Sequence, residues 1–281
     1  MTNLLQGQTT LDHEYDQVIE NIGSLPGENF RVFILCSNDS LAITHRHFKG
    51  SFVAERKADN SFVTVADRET EKYLRASIEK TFPDDAILGE EEGEKPGKSN
   101  RRWILDPVDG TYSFVHGVPL YGVLIGLEVD DQAVLGVVNL PVLDEFVYAA
   151  HGIGCFWNDV PARVSSTESL SDALLLATDF GTCEQYGFGQ AAEILQKQVH
   201  ARRTWGDAYG HVLVATGRAE IMLDPIMNVW DCAALLPILE EAGGTFTDWQ
   251  RLRTIHGGNA ISTNGALFES VMSAIEKAEE S

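Results

Sequence analysis

The chain has 281 residues and a formal net charge of -21, from 42 acidic and 21 basic side chains. This acidity excludes partners that bind through clustered Lys and Arg, nucleic acids foremost, and no apolar run approaches the roughly 18 residues of a membrane span. Met1 to Asp16 lacks the basic-then-apolar order of a secretory leader, so the expectation is a soluble cytoplasmic protein with two closely packed halves, 1–160 and 161–281.

In chain order, the apolar spacing from about Leu11 to Arg56 is mainly helical, with a turn at Gly23 to Gly27, and Phe62 to Ile78 reads as another helix. Ala86 to Leu88 and Arg102 to Leu105 read as short strands bracketing an exposed Glu/Lys/Gly loop with freedom to move over a site. Leu120 to Val129, Ala133 to Leu140 and Glu145 to Ala149 compose an antiparallel meander turning at Asp130-Asp131. Beyond Ser165 the order becomes strand (Leu174 to Ala177), helix (Glu184 to Val199), helix (Ala208 to Thr216), strand (Ala219 to Leu223) and helix (Trp230 to Glu241), an alternation that argues for an α/β second half. Gly243-Gly244 stops that helix, and Ala266 to Ala278 is an amphipathic closing helix. The four cysteines, Cys36, Cys155, Cys183 and Cys232, lack metal-type spacing and read as reduced structural thiols.

The most informative stretch is Trp103-Ile104-Leu105-Asp106-Pro107-Val108-Asp109-Gly110-Thr111, an apolar strand ending in two carboxylates, a glycine and a threonine. The expectation places Asp106 at the strand's exit, with Pro107 stopping the ladder and Asp109, Gly110 and Thr111 opening a helix whose free N–H groups face the same place. Hard cations take such oxygen ligands, and phosphoryl oxygens complete their shells. Taken alone, Asp-Pro-x-Asp-Gly is also an ordinary turn. Two further acidic elements have apolar flanks: Ala86-Ile87-Leu88-Gly89-Glu90-Glu91 and Val229-Trp230-Asp231-Cys232-Ala233-Ala234. Each has a mundane explanation, a solvated charge run for Glu90 and complementation of a helix dipole for Asp231.

Together, Gly89-Glu90-Glu91, Asp106 to Thr111 and Trp230 to Ala234 resemble, in order and approximate spacing, the three signatures of the inositol monophosphatase superfamily. Lys57 to Asp67 is similar to that family's lead-in segment, which ends in a catalytic aspartate. Within the family, Arg203-Thr204-Trp205-Gly206-Asp207-Ala208-Tyr209-Gly210-His211, Ala215 to Glu220 and Asp224-Pro225 look like the histidinol-phosphate phosphatase branch. The resemblance implies a layered αβαβα sandwich, α+β to α/β in class, with the active site between the halves and a homodimer.

It further implies a phosphomonoesterase in which Glu90, Asp106, Asp109, Asp231 and the Val108 carbonyl hold metal, and Asp67, Glu90 and Thr111 orient and deprotonate water. The all-oxygen set favours Mg2+, with Mn2+ as a substitute. Thr111 is alternatively a helix-cap hydroxyl and Asp67 a helix-surface acid. Gly110 and Thr111 N–H groups would meet the phosphate, and Asp109 and Asp231 would also be substrate-binding. Gly206, Asp207 and Asp224 would meet the organic half. Lys57 reads equally as an exposed turn lysine and stays outside the catalytic set, Asp207 reads equally as a helix N-cap, and His211 reads as a core residue. Trp205 and Tyr209 either stack on an imidazole or fill the seam between the halves.

The acidity tilts the substrate toward a small phosphate monoester with a cationic amino alcohol portion, and the resemblance implies that this is L-histidinol phosphate, as in histidine biosynthesis. The rival readings are an inositol 1-phosphate or sugar phosphate substrate and a non-catalytic metal-binding interaction protein of the same fold. The second rival would be marked by loss of a ligand, and this chain keeps Asp67, Glu90, Asp106, Asp109, Thr111 and Asp231.

Overall fold

The computed structural model describes residues 40, 42–58 and 61–279. Strands β1 (Glu55–Arg56) and β2 (Phe62–Val63) pair antiparallel just ahead of helix α1 (Val65–Thr81). Thr64 opens α1 by accepting from the Ala66 N–H, while Asp67 accepts the Thr64 N–H, a reciprocal capping box.

An eight-stranded sheet comprises β3 (Ala86–Gly89), β4 (Gly93–Lys95), β5 (Arg101–Asp109), β6 (Gly122–Val129), β7 (Gln132–Leu140), β8 (Glu145–Ala150), β9 (Gly154–Trp157) and β10 (Val160–Ala162). Its order is β10-β9-β8-β7-β6-β5-β3-β4, with β3 and β5 parallel and the other pairs antiparallel. Helix α2 (Thr111–Val115) joins β5 to β6. A second sheet comprises β11 (Leu174–Ala177), β12 (Ala201–Arg203), β13 (Ile221–Asp224), β14 (Thr245–Thr247) and β15 (Ala260–Thr263), in the order β12-β11-β13-β15-β14. The remaining helices are α3 (Phe180–Gln185), α4 (Gly189–Gln198), α5 (Asp207–Ala215), α6 (Val229–Ala233), α7 (Leu235–Glu241) and α8 (Phe268–Glu279).

The layers follow from the period of two in the strands, whose apolar residues are buried on both faces. On β5, Trp103 and Leu105 pack with Leu74 and Ile78 of α1, whereas Ile104 points to the opposite side and packs with Val212 of α5 and Leu235 of α7. On the second sheet, Leu176 and Met222 join that same interior, while Leu175, Ile221 and Leu223 face Leu195 of α4 and Val271 of α8. The result is the expected αβαβα sandwich: α1, the large sheet, an inner layer of α5, α6 and α7, the small sheet, and an outer layer of α3, α4 and α8.

Two glycines set the depth of the inner layer. Gly126 and Gly136 are cross-strand partners on β6 and β7. A Cβ on Gly136 would lie 1.9 Å from the Ala234 carbonyl oxygen, and one on Gly126 would lie 2.6 Å from the Ala233 Cβ. The pair is a notch into which the α6–α7 junction drops.

Several expected boundaries are corrected. The Leu11 to Arg56 helix falls largely outside the described residues; 42–47 are helical, but the chain leaves the helix before β1. Phe62 and Val63 are strand, and α1 starts only after the Thr64 cap. Pro107 does not end the ladder, because β5 runs on to Asp109 through a bulge that shifts the register between Asp106↔Leu124 and Asp109↔Gly122, where a missing N–H costs no ladder bond. The Glu/Lys/Gly stretch is not an open loop but includes β4, paired with β3. The expected Glu184 to Val199 helix is split at Gly187 (φ 88°), and the Trp230 to Glu241 helix is broken at Ala234, three residues before Pro237, whose ring nitrogen cannot donate to the Ala233 carbonyl. The meander and its turn agree with expectation, Asp130 and Asp131 both taking the positive φ (50° and 59°) of a two-residue hairpin turn. The boundary expected after residue 160 falls within β10. No described helix is long and apolar enough to cross a membrane. Cys155, Cys183 and Cys232 are buried and free, and burial pushes the Cys155 and Cys183 thiols up to about 12 and about 11, so they are inert structural groups; Cys36 lies outside the described residues.

Candidate active site

The end of β5, the start of α2 and the starts of α5 and α6 meet around a cavity of ≈ 500 Å³. Glu90, Asp106, Asp109, Thr111, Asp207, Asp224 and Asp231 all line it. Carboxylate oxygens of Asp106, Asp109 and Asp231 lie within 4.8 Å of one another. Burial, then Glu90, Asp109 and Asp231 push Asp106 well above the ordinary carboxylate range; burial, then Asp207 and Asp231 do the same to Asp109. Asp231 is pushed up to about 6, chiefly by burial. An all-oxygen cluster of mutually repelling acids is a fitting cradle for a hard divalent cation, whose charge removes the repulsion.

Each acid is aimed by its own local geometry. Asp106 Oδ1 accepts the Val108 N–H at 3.0 Å across the bulge, and Asp109 Oδ2 accepts the Ala208 N–H at 2.8 Å from the start of α5. Asp231 is the third residue of α6 and accepts the Asn228 N–H at 2.6 Å in a second capping box. Glu90 leaves β3 with its N–H donated to Leu105 and its carboxylate 2.7 Å from Lys57 Nζ. Burial raises Glu90, and Lys57 partly offsets it. Lys57 also reaches Glu91 at 2.5 Å; burial pulls its ammonium down, but the bonds to the two glutamates outweigh this and hold it up.

Beside this cluster sits the Asp67–Thr111 pair. Thr111 Oγ1 lies 3.3 Å from Asp67 Oδ1 and 2.9 Å from the Val108 carbonyl oxygen, while Asp67 Oδ2 accepts from Thr64 N at 2.8 Å and Thr64 Oγ1 at 2.6 Å. Burial lifts Asp67 to about 6 against the lowering effect of those bonds. The opposite wall carries Asp207 and Asp224. Burial raises both, Asp207 to about 6, and they are linked through Thr178, whose hydroxyl donates to Asp224 Oδ2 at 3.0 Å and accepts the Asp207 N–H at 2.9 Å. Asp207 takes a left-handed φ of 52°, tolerated by Asp, that directs its carboxylate toward Gly110.

The inositol monophosphatase family model matches residues 35–280. The chain belongs to the inositol monophosphatase family. A histidinol-phosphatase of Chlorobaculum parvum is 44% identical, with 79% of this chain and 86% of the relative covered. A histidinol-phosphatase of Mycobacterium tuberculosis is 37% identical over 79% of this chain and 87% of its own. Among solved structures, the extragenic suppressor protein suhB of Bartonella henselae superimposes with a TM-score of 0.83 at 28% identity, covering 88% of this chain and 98% of that one.

The fold of this family gathers most of the residues expected from the sequence. Two do not line the cavity: Asp67 reaches it through Thr111, whereas Gly206 packs on Thr178, where a Cβ would lie 2.2 Å from the Thr178 Cα. Asp67 is not a surface acid, being fully buried, and Asp207 is not the N-cap of α5, a position held by Gly206. His211 is the core residue expected, with Nδ1 2.7 Å from Ser262 Oγ and burial driving it down to about 3. Trp205 is exposed under Arg203 and Tyr209 packs on the inner layer; neither lines the cavity. Sequence reasoning missed Thr178 and set Lys57 aside. Thr178 follows β11 at the carboxyl end of a parallel strand pair, the usual place for ligand contacts in such sheets, which is the signal that would have found it.

Proposed function

We propose that the cavity hydrolyses L-histidinol phosphate to L-histidinol and phosphate, with Mg2+ as the cation. The observation that carries the substrate is the Asp207–Thr178–Asp224 wall facing the metal-type cluster across one cavity. Two buried carboxylates beside a phosphate site suit a ligand with a phosphate at one end and an ammonium or imidazolium at the other. The names borne by both curated relatives support the same substrate.

Glu90, Asp106, Asp109, Asp231 and the Val108 carbonyl would hold Mg2+. When bound, Mg2+ neutralises phosphoryl oxygens and acidifies water. Thr111 Oγ1 positions the attacking water, and Asp67 Oδ1, raised toward neutrality, receives the proton through it. The water oxygen bonds to phosphorus as the ester P–O bond breaks, and the departing alkoxide takes a proton from solvent. Gly110 and Thr111 N–H groups at the α2 start steady the phosphate.

The test is kcat/KM with Mg2+ on L-histidinol phosphate against myo-inositol 1-phosphate. A preference of about 100-fold or more, some 2.7 kcal/mol of transition-state discrimination, supports the reading, and a preference for the inositol ester overturns it. Asp207→Asn is expected to lower kcat/KM for histidinol phosphate about 100-fold while changing the inositol ester by less than about threefold. Equal losses on both substrates would remove Asp207 from substrate recognition. Asp67→Asn is expected to cut kcat about 100-fold or more with melting shifted by only a few degrees, and near-normal turnover would refute its role.

A further inference from the structure

Asp67 and Glu71 stand four residues apart on α1 and therefore share one face. Asp67 serves Thr111. Glu71, fully buried, turns to the segment that carries Glu90: its Oε2 accepts the Glu91 N–H at 2.7 Å, and its Oε1 accepts the Glu92 N–H at 3.0 Å and Arg75 Nε at 2.8 Å. Arg75, one turn further on and only 7% exposed, donates through Nη2 to the Gly93 carbonyl and lies 3.6 Å from the Glu92 carboxylate. The segment lies flush on this pair, since a Cβ on Gly89 would fall 2.1 Å from Glu71 Oε1 and 2.8 Å from Arg75 Nη2.

A buried ion pair is a poor source of net stability, because desolvation of both charges offsets their attraction. What this one supplies is position. Glu90 is fixed on one side by its own N–H on Leu105 and on the other by the Glu91 and Glu92 amides on Glu71, so the peptide units flanking its Cα have little freedom. We propose that Glu71, locked by Arg75, is a positioning residue that fixes the backbone of Glu90 and thereby its affinity for the cation. Helix α1 would then align both the water-activating pair and one wall of the cation site.

The inference rests on the reading of Glu90 as a cation ligand, so the test uses full-length wild type, Glu71→Gln, Arg75→Lys and Glu90→Gln. It reads hydrogen exchange of residues 90–93 in metal-free protein, Mg2+ binding by calorimetry, and the Mg2+ dependence of turnover. Glu71→Gln is expected to speed exchange of the Glu91 and Glu92 amides and to raise the Mg2+ concentration for half-saturation about tenfold, about 1.4 kcal/mol, with a smaller fall in rate at saturating Mg2+. Arg75→Lys keeps the charge but loses the fork, and is expected to shift both readouts in the same direction by about threefold; it decides the matter if Glu71→Gln does not fold. Faster exchange with an unaltered Mg2+ isotherm would make the pair a mere clamp and overturn the proposal. If Glu90→Gln leaves the isotherm unaltered, the ligand reading itself has failed and the proposal falls with it.

Discussion

Asp231→Asn is expected to lower kcat/KM by at least about 10³-fold and, at the same time, to raise the melting temperature of the metal-free protein. The first effect follows from removing one of three carboxylates within 4.8 Å that would bind the cation. The second follows from what those carboxylates cost when no cation is bound: burial and neighbouring charge raise Asp106, Asp109 and Asp231 together. An acid whose folded-state pKa exceeds its unfolded value favours folding only while protonated. As pH rises from the ordinary carboxylate value of 3.8 to about 6 for Asp67, Asp207 and Asp231, the unfolded chain ionises first and the folded state loses stability. Metal-free wild type should therefore melt higher at pH 5 than at pH 7, and excess Mg2+ should abolish most of that difference. Thermal melts in EDTA and in Mg2+ at both pH values, for wild type and variant, decide it. A metal-free Asp231→Asn protein melting below wild type at pH 7 would contradict the argument.

Gly136→Val is expected to produce the largest stability loss of any single side-chain addition where the large sheet meets the inner layer. Even a methyl group there would sit 1.9 Å from the Ala234 carbonyl, so the α6–α7 junction must move off the sheet, and Gly126 on the neighbouring strand leaves no compensating room. Overpacking of this severity costs about 3 kcal/mol, or roughly 6–12 °C of melting temperature for a domain of this size. The displaced helix carries Asp231, so Mg2+ binding should weaken in step. A variant melting within about a degree of wild type would show that the notch is not needed.

These two positions illustrate what was and was not legible in the sequence. The acids of the site could be named because they fall in short segments whose order and spacing match a family pattern: Asp106 on an apolar strand, Asp231 in the first turn of a helical run, and Asp67 at the close of the Lys57 to Asp67 lead-in. Their ordinary and functional explanations proved compatible, because a carboxylate has two oxygens, and Asp67 gives one to Thr64 and the other to Thr111. The residues that stayed hidden act through tertiary contact. Nothing local in Glu71, Thr178 or Gly136 distinguishes them from a surface glutamate, a loop threonine or a weak strand position; only the packing of α1 on β3, of β11 beside β13, and of α7 on β7 gives them work. Element ends were missed where a single residue broke a smooth pattern, at Gly187 and Ala234, and where a bulge let a strand run past an expected breaker, at Pro107.

The double use of Asp67 and Asp231 also bears on how the protein loses activity with heat. Both sit in the first turn of a helix, the part of any helix that frays first, and a capping interaction holds such a turn by only about 1 kcal/mol. Opening one turn of α1 would withdraw the Asp67 carboxylate from Thr111 while both sheets remain intact. Inactivation should then set in below the calorimetric melt and reverse on cooling, with the temperature optimum governed by two frayed helix ends rather than by the core.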